Sequence, residues 1–228
     1  MESKRDLFDI PRELAYLNTA YFGCFSNKTT ETAVESAKIK SQPWNITIPD
    51  FFKDAEKARN LFASIINTET DNIALIPSAS YGFAIAAKNI ELSSSDTILL
   101  LSEQFPSNYY VWEEQSKLTG ARLSIVPRPE DDDWTNSVIN HIDSDKSIKL
   151  ISLENNHWTD GGLLDLPQIS NHIKGKNIKL LVDGTQSVGA LPTDIQKMNP
   201  DFLVVSGYKW LLGPYNLGFC YISPEFHE

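Results

Sequence analysis

Seven short apolar runs recur along the chain and predict a β-sheet. They are rich in Val, Ile and Leu without strict alternation, which is typical of strands covered on both faces. The runs are 73–76, 97–102, 122–126, 149–153, 178–182, 202–206 and 217–222. Helical segments separate the first five, and this alternation predicts a parallel sheet with crossover helices. The last connection, GYKWLLGPYN, is too short for a crossover helix, so we expect the final strand to run antiparallel.

Helical periodicity is clearest between Asp50 and Ile66. Apolar residues recur there at helical spacing and predict an amphipathic helix that ends near Asn67 and packs into the core. These residues are Phe51, Phe52, Ala55, Ala58, Leu61, Phe62 and Ile65. Further helices are expected over 28–41, 80–89 and 166–174.

Composition narrows the class of protein. The 228 residues are 41% hydrophobic, which is enough for one sizeable core. A net charge of −10 argues against a nucleic acid or an anionic membrane as partner. The opening residues are too charged for a signal peptide, and no apolar run reaches the ~20 residues that span a bilayer. Only Cys24 and Cys220 occur, which indicates a cytoplasmic protein with neither a disulfide framework nor a metal site.

Two charged residues follow buried strands near the end of the chain. Asp183 comes after the run 178–182, and Lys209 lies just beyond 202–206. Residues at the carboxyl ends of parallel strands line the ligand crevice of such sheets. Taken alone, Asp183 could be a helix N-cap and Lys209 a solvated surface lysine. Gln186, three residues after the acid, and Ser206, three before the lysine, favour a shared site.

The two segments DGTQSVGA and SGYKWLLGPYNLGF resemble the class V aminotransferase family of pyridoxal phosphate enzymes, which includes cysteine desulfurases, kynureninases and isopenicillin N epimerase-like proteins. The resemblance implies an α/β fold, the fold-type I large domain, with a mainly parallel seven-stranded sheet, one antiparallel strand and helices on both faces. Residues 1–50 would form an N-terminal arm and first helix, and 51–228 the cofactor-binding large domain. The family's smaller C-terminal domain has no counterpart in these residues.

The resemblance also implies roles for the four residues around pyridoxal 5'-phosphate. Lys209 would form a Schiff base with the cofactor aldehyde, since a partly desolvated lysine is a nucleophilic amine. Asp183 would keep the ring nitrogen protonated, so that the ring accepts electrons. Gln186 would donate a hydrogen bond to the ring hydroxyl, and Ser206 would hold the phosphate.

A second phosphate-binding segment is expected at the start of the helix 80–89. Ser78, Ala79 and Ser80 precede free N–H groups and the positive end of the helix dipole, although a serine here could simply be an N-cap. Relatives usually carry Gly or Thr in this turn. Many also carry His before the lysine, where Tyr208 stands; its hydroxyl can still donate to phosphate.

Three more segments match family positions. In EQFPSNYYVW, Phe105 aligns with a residue that stacks on the cofactor ring, and the alternative is a core plug. In ENNHWTDGG, His157 aligns with a residue beside the ring oxygen, with Asn156 as the near alternative. In the segment YLNTAYFG, residues 18–20 (Asn18, Thr19 and Ala20) would line the pocket, unless this arm only packs on the body.

The resemblance implies an enzyme that acts on a small-molecule amino acid by transamination, or by desulfuration, elimination or epimerisation. Family members are usually homodimers, so the full-length protein is expected to dimerise. The alternative is a truncated, non-catalytic protein that binds the cofactor or serves as a scaffold. A nicotinamide-binding fold is disfavoured, because no G-x-G-x-x-G follows a strand.

Overall fold

A single seven-stranded sheet organises the computed structural model, which describes residues 3–227. The strand order is β1-β7-β6-β5-β4-β2-β3. The strands are β1 (Ile73–Ile76), β2 (Thr97–Leu101), β3 (Arg122–Val126), β4 (Ile148–Glu154), β5 (Lys179–Asp183), β6 (Phe202–Ser206) and β7 (Gly218–Ile222). All seven predicted strands are therefore confirmed, with each end within about one residue of the expected position.

The direction of the strands also matches the prediction. β3, β2, β4, β5 and β6 pair in parallel, whereas β7 is antiparallel to both of its neighbours, β1 and β6. The connection from β6 to β7 has no room for a crossover helix, so β7 returns beside β6 in the opposite direction. Because β2, β4, β5 and β6 run in the same direction, they end at the same edge of the sheet.

Helices cover both faces of the sheet, as expected. They are α1 (Asn27–Lys40), α2 (Asp50–Ile66), α3 (Ala79–Asn89), α4 (Pro106–Thr119), α5 (Trp134–Ser144), α6 (Leu166–Ile173) and α7 (Ile195–Met198). Helices α3 and α4 share one apolar cluster with Leu100 and Val204, while α2, α5, α6 and α7 share the other with Leu101 and Val205. Neighbouring residues of a strand thus enter opposite clusters, as the two-residue period of a strand requires.

Helix α2 departs in part from the sequence prediction, although its bounds agree. Phe62 and Ile66 are buried, and Phe62 stacks on Phe219 of β7 at 4.2 Å between ring centroids. By contrast, Phe51 and Phe52 are 71% and 61% exposed. Leu61 and Ile65, near the C-terminal end of the helix, are also 56% and 50% exposed. The expectation that the whole apolar stripe is core is therefore wrong, because only the helix face that carries Phe62, Ala63 and Ile66 is buried.

The N-terminal part of the described chain lies mostly on the surface. Helix α1 has no buried residue, and its N-cap Ser26 accepts a hydrogen bond from the Thr29 N–H at 3.1 Å. No helix within residues 3–227 is long and apolar enough to cross a membrane.

Helix α6 offers a test of the fold through its N-cap. The Asp165 carboxylate accepts the Gln168 N–H at 2.9 Å. Replacing Asp165 with Ala leaves that donor without its partner, so we expect the free energy of unfolding to fall by about 1 kcal/mol. Urea denaturation followed by tryptophan fluorescence measures the change. Glu130→Ala, in an exposed loop, is the control and should leave the midpoint unchanged.

Candidate active site

A cavity of about 240 Å³ opens at the carboxyl edge of the sheet. Asp183 is the last residue of β5, and its Cα partner in the neighbouring strand is Glu154, the last residue of β4. Both carboxyl groups line the cavity, together with Lys209. The other lining residues are Ser78, Ala79, Ser80, Phe105, Ser107, Asn156, Trp158, Thr185, Gln186, Ser206, Tyr208, Tyr215 and Leu217.

Lys209 is held by a compact loop between β6 and β7. The Gly207 N–H donates to the Leu217 carbonyl at 2.8 Å, and the Leu212 N–H donates to the Lys209 carbonyl at 3.1 Å. A side chain at position 207 would place its Cβ 2.5 Å from the Leu217 carbonyl oxygen, so the loop closes only around a glycine. Lys209 is 6% exposed, with Nζ 5.5 Å from the centre of the Phe105 ring.

The lysine and the acid perturb each other. Burial lowers the pKa of the Lys209 amine, and the Asp183 and Glu154 carboxyl groups oppose that effect. Burial raises the pKa of Asp183, opposed by its hydrogen bonds from Thr185 and by the charge of Lys209. The Thr185 N–H donates to Asp183 Oδ1 at 2.9 Å. A partly desolvated amine beside a buried acid is the arrangement of a reactive lysine rather than of a surface one.

Two helix N-termini meet at the same cavity. The residues Ser78, Ala79 and Ser80 open α3, and Ser107 lies in the first turn of α4. The Ser80 hydroxyl donates to the Ser107 hydroxyl at 2.8 Å. Ser78 is also an N-cap, as its Oγ accepts the Tyr81 N–H at 3.2 Å. The sequence analysis did not identify Ser107. Its position directly after Pro106, which begins α4 beyond β2, was the signal that could have found it.

The amide of Gln186 joins three parts of the chain. Its Oε1 accepts a hydrogen bond from the Trp210 indole at 2.9 Å, and its Nε2 donates to the Ala20 carbonyl at 3.1 Å. Gln186 lines the cavity as expected, and its orientation is set by the loop of Lys209 and by the N-terminal arm.

Aromatic rings form two walls of the cavity. The rings of Phe105 and Trp158 meet edge to face, with 5.4 Å between their centroids. The ring centroids of Tyr208 and Tyr215 lie 4.7 Å apart. Phe22 of the N-terminal arm stacks on Tyr215 at 5.8 Å. Phe105 and Tyr208 were predicted here, whereas Trp158 and Tyr215 were not.

His157 lies away from the cavity, contrary to the expectation for this residue. Its ring is fully buried and stacks on Trp134 of α5 at 4.7 Å. Its Nε2 is 3.0 Å from the Ser102 carbonyl, and its Nδ1 is 2.9 Å from the Thr159 hydroxyl. Asn156, the alternative in the same segment, does line the cavity.

The N-terminal arm reaches the site through its backbone. The Gly23 N–H donates to the Tyr208 carbonyl at 2.8 Å. A Cβ at position 23 would overlap the carbonyl oxygen of Lys209, so only glycine lets the arm approach this closely. Asn18, Thr19 and Ala20, which we expected to line the pocket, are not among its lining residues. Ala20 contributes only its carbonyl group, to Gln186.

Glu154 is the acidic residue of the site that the sequence analysis missed. The predicted strand stopped one residue earlier, so Glu154 was placed in the following loop. The signal was the same as for Asp183, namely an acid where a buried strand ends. The adjacency of β4 and β5, which brings the two acids side by side, is visible only in the sheet.

Known proteins resemble this chain both in sequence and in fold. The chain is 29% identical over 178 residues to a probable cysteine desulfurase of Pyrococcus abyssi, and the aligned region covers 76% of this chain and 43% of that protein. It is 23% identical over 190 residues to isopenicillin N epimerase of Streptomyces clavuligerus, and this alignment covers 82% of this chain and 48% of the epimerase. The chain therefore spans about half the length of these relatives.

A solved structure of a C-DES variant, with glycine covalently linked to its PLP cofactor, has the same fold. The two structures superpose with a TM-score of 0.87 at 20% sequence identity, and the superposition covers 98% of this chain and 60% of the C-DES chain. The sequence profile described as Aminotransferase class-V matches residues 48–228, which include every residue that lines the cavity. This protein belongs to the class V aminotransferase family.

Proposed function

We propose that this chain binds pyridoxal 5'-phosphate through Lys209 and is the cofactor-binding part of an enzyme that acts on an amino acid. The observation that carries the proposal is a buried lysine, with its pKa lowered by burial, in one cavity with a buried aspartate. Membership of the class V aminotransferase family supports it.

The residues of the cavity suit the two chemical ends of this cofactor. An anionic phosphate is favoured where helix N-termini and hydroxyl groups converge, as α3, α4, Ser107 and Ser206 do here. A protonated ring nitrogen is favoured beside a buried acid, and Asp183 is such an acid. Phe105, on the wall of the cavity, offers a flat apolar face to a ring. We therefore assign Ser78, Ala79, Ser80, Ser107, Ser206 and Tyr208 to the phosphate.

The remaining assignments follow from position. Gln186 presents an amide at the cavity wall, and we assign it to the ring hydroxyl. Asn156 replaces His157 as the residue beside the ring oxygen, because only Asn156 lines the cavity. When bound, the cofactor would act as an electron sink for the amino-acid carbon. Lys209 Nζ would supply the amine that bonds to the aldehyde. Afterwards the same amine would accept and return the proton on the α-carbon of the amino acid.

The reaction itself is proposed only as a class. Transamination is the default, and desulfuration, elimination or epimerisation would use the same lysine, acid and hydroxyl groups. We also propose that residues 51–228 form the cofactor-binding domain, that 1–50 form an arm, and that the whole protein is a cytoplasmic homodimer. A sedimentation profile showing only monomer for the full-length protein would contradict the last point.

An absorbance titration with pyridoxal phosphate tests the proposal. We expect a new visible band that saturates at a single equivalent per chain, because the bond to a lysine amine shifts the absorbance of the free aldehyde. Borohydride should then fix the group irreversibly, and mass spectrometry should place it on the peptide that contains Lys209. Absence of the band, or fixation on other lysines alone, would refute the proposal. A band that no amino acid alters would instead favour the non-catalytic, cofactor-binding alternative.

A further inference from the structure

Glu154 is a buried acid in the cavity that the proposed function leaves without a role. It ends β4, is 2% exposed and lines the same cavity as Lys209. Its register partner is Asp183, and paired residues of neighbouring parallel strands point to the same face of a sheet. The cavity therefore holds two carboxyl groups and one amine.

Both oxygen atoms of Glu154 are engaged with the backbone. Oε1 accepts the Phe105 N–H at 2.7 Å, and Oε2 accepts the Trp158 N–H at 2.9 Å. These two residues lie in different loops, one after β2 and one after β4, and their rings meet edge to face. Glu154 thus ties the two rings of one cavity wall to the end of β4. Its carboxyl group is held in place and cannot swing out to water without breaking two hydrogen bonds.

The charge of Glu154 is coupled to its neighbours. Burial, followed by the charge of Asp183, raises the pKa of Glu154 to about 8, while the two N–H donors and Lys209 oppose the rise. In turn, Glu154 acts with Asp183 to raise the pKa of Lys209, against the effect of burial. The ionisable groups that share the cavity with Glu154 are Asp183 from β5 and Tyr208, Lys209 and Tyr215 from the β6–β7 loop.

We propose that Glu154 is a positioning residue that, together with Asp183 in the same cavity, helps to hold the proton on Lys209 Nζ. The carboxylate form of Glu154 favours the ammonium form of Lys209, and the neutral acid form does not. As pH rises, Glu154 releases one proton to solvent, and Lys209 keeps one that burial alone would release. The effect needs no cofactor, and its meaning for catalysis rests on the proposed function.

Chemical labelling of Lys209 tests this coupling without the cofactor. The purified chain is treated with hydroxylamine to remove any bound aldehyde, then acylated with acetic anhydride from about pH 6 to about pH 10, a range that spans the ordinary values of both groups. Only neutral amines react, so the yield on the Lys209 peptide reports the proton on Nζ. In Glu154→Gln we expect acylation above about pH 8 to be about threefold faster or more, because an opposite charge has gone. Below that pH the two profiles should converge.

Two further variants separate charge from packing. Glu154→Asp keeps the negative charge and should keep the profile of the wild type, whereas Glu130→Gln, in an exposed loop, should change nothing. Identical profiles for Glu154→Gln and the wild type would overturn the proposal. Equal shifts in the Gln and Asp variants would also overturn it, because packing and not charge would then be the cause.

The wild type alone supplies a final readout should the Gln variant fail to fold by circular dichroism. Its Lys209 acylation should deviate from a single titration curve near the pKa of about 8 of Glu154, and a single curve would overturn the proposal. A chain that shows this deviation but no visible band with pyridoxal phosphate would support the coupling and reject the proposed function.

Discussion

Replacing Lys209 with Ala is expected to abolish the visible band with pyridoxal phosphate and all borohydride fixation at this site. The amine is the nucleophile that bonds the aldehyde, and alanine has none. Any turnover of an amino acid should fall by at least about 10²- to 10⁴-fold, the usual effect of losing a positioned acid–base group. Absorbance, mass spectrometry and a product assay measure the three effects.

The control for this variant is Lys197→Ala. The side chain of Lys197 is 75% exposed and pairs with Asp194, on the helix that precedes β6. Its loss should leave the band and the fixation unchanged. A Lys209→Ala variant that keeps the band would show that another amine holds the cofactor, and the assignment of the site would then be wrong.

The stability of the ligand-free chain is expected to fall as pH rises from about 4.5 to about 8. The pKa of Glu154 is raised from 4.5 to about 8 on folding, so the folded chain keeps a proton that the unfolded chain has already released. Protonation therefore favours the folded state, and each pH unit in this window costs up to about 1.4 kcal/mol. The total for this group is a few kcal/mol. Burial raises the pKa of Asp183 and of Asp201 as well, in the same direction.

Comparison with Glu154→Gln isolates the contribution of this one residue. Glutamine does not titrate, so its free energy of unfolding should depend less steeply on pH across the window, while Glu130→Gln should follow the wild type. The slopes are compared and not the absolute values, because glutamine has one acceptor oxygen for the two N–H donors. Urea unfolding at several pH values measures the slopes. Equal slopes in wild type and Glu154→Gln would show that Glu154 ionises normally in the folded chain.

The strands and the main site residues were predictable because they depend on local pattern. Continuous apolar runs occur where both faces of a strand are covered, and the short last connection excludes a parallel return. Asp183 and Lys209 stand just where two such runs end, so the carboxyl edge of the sheet had to bring them near each other. The structure places both in one cavity.

The sequence could not show which side chain of a loop turns inward. His157 and Asn156 are neighbours in a segment without periodicity, and Trp134, far away in the chain, decides between them by stacking on the His157 ring. The apolar stripe of α2 likewise fits a buried helix at every turn, yet Phe51, Leu61 and Ile65 are exposed, because only the helix face of Phe62 and Ile66 is packed against the core.

The sequence by itself determined the seven strands, the antiparallel return of β7, and the acid and lysine at the edge of the sheet. Local apolar pattern and connection length are sufficient for these features. Only the tertiary structure placed Glu154 beside Asp183, brought Ala20 to Gln186 and joined two helix N-termini at one cavity. Those contacts depend on the order of strands in the sheet and on the packing of distant segments, which no local pattern encodes.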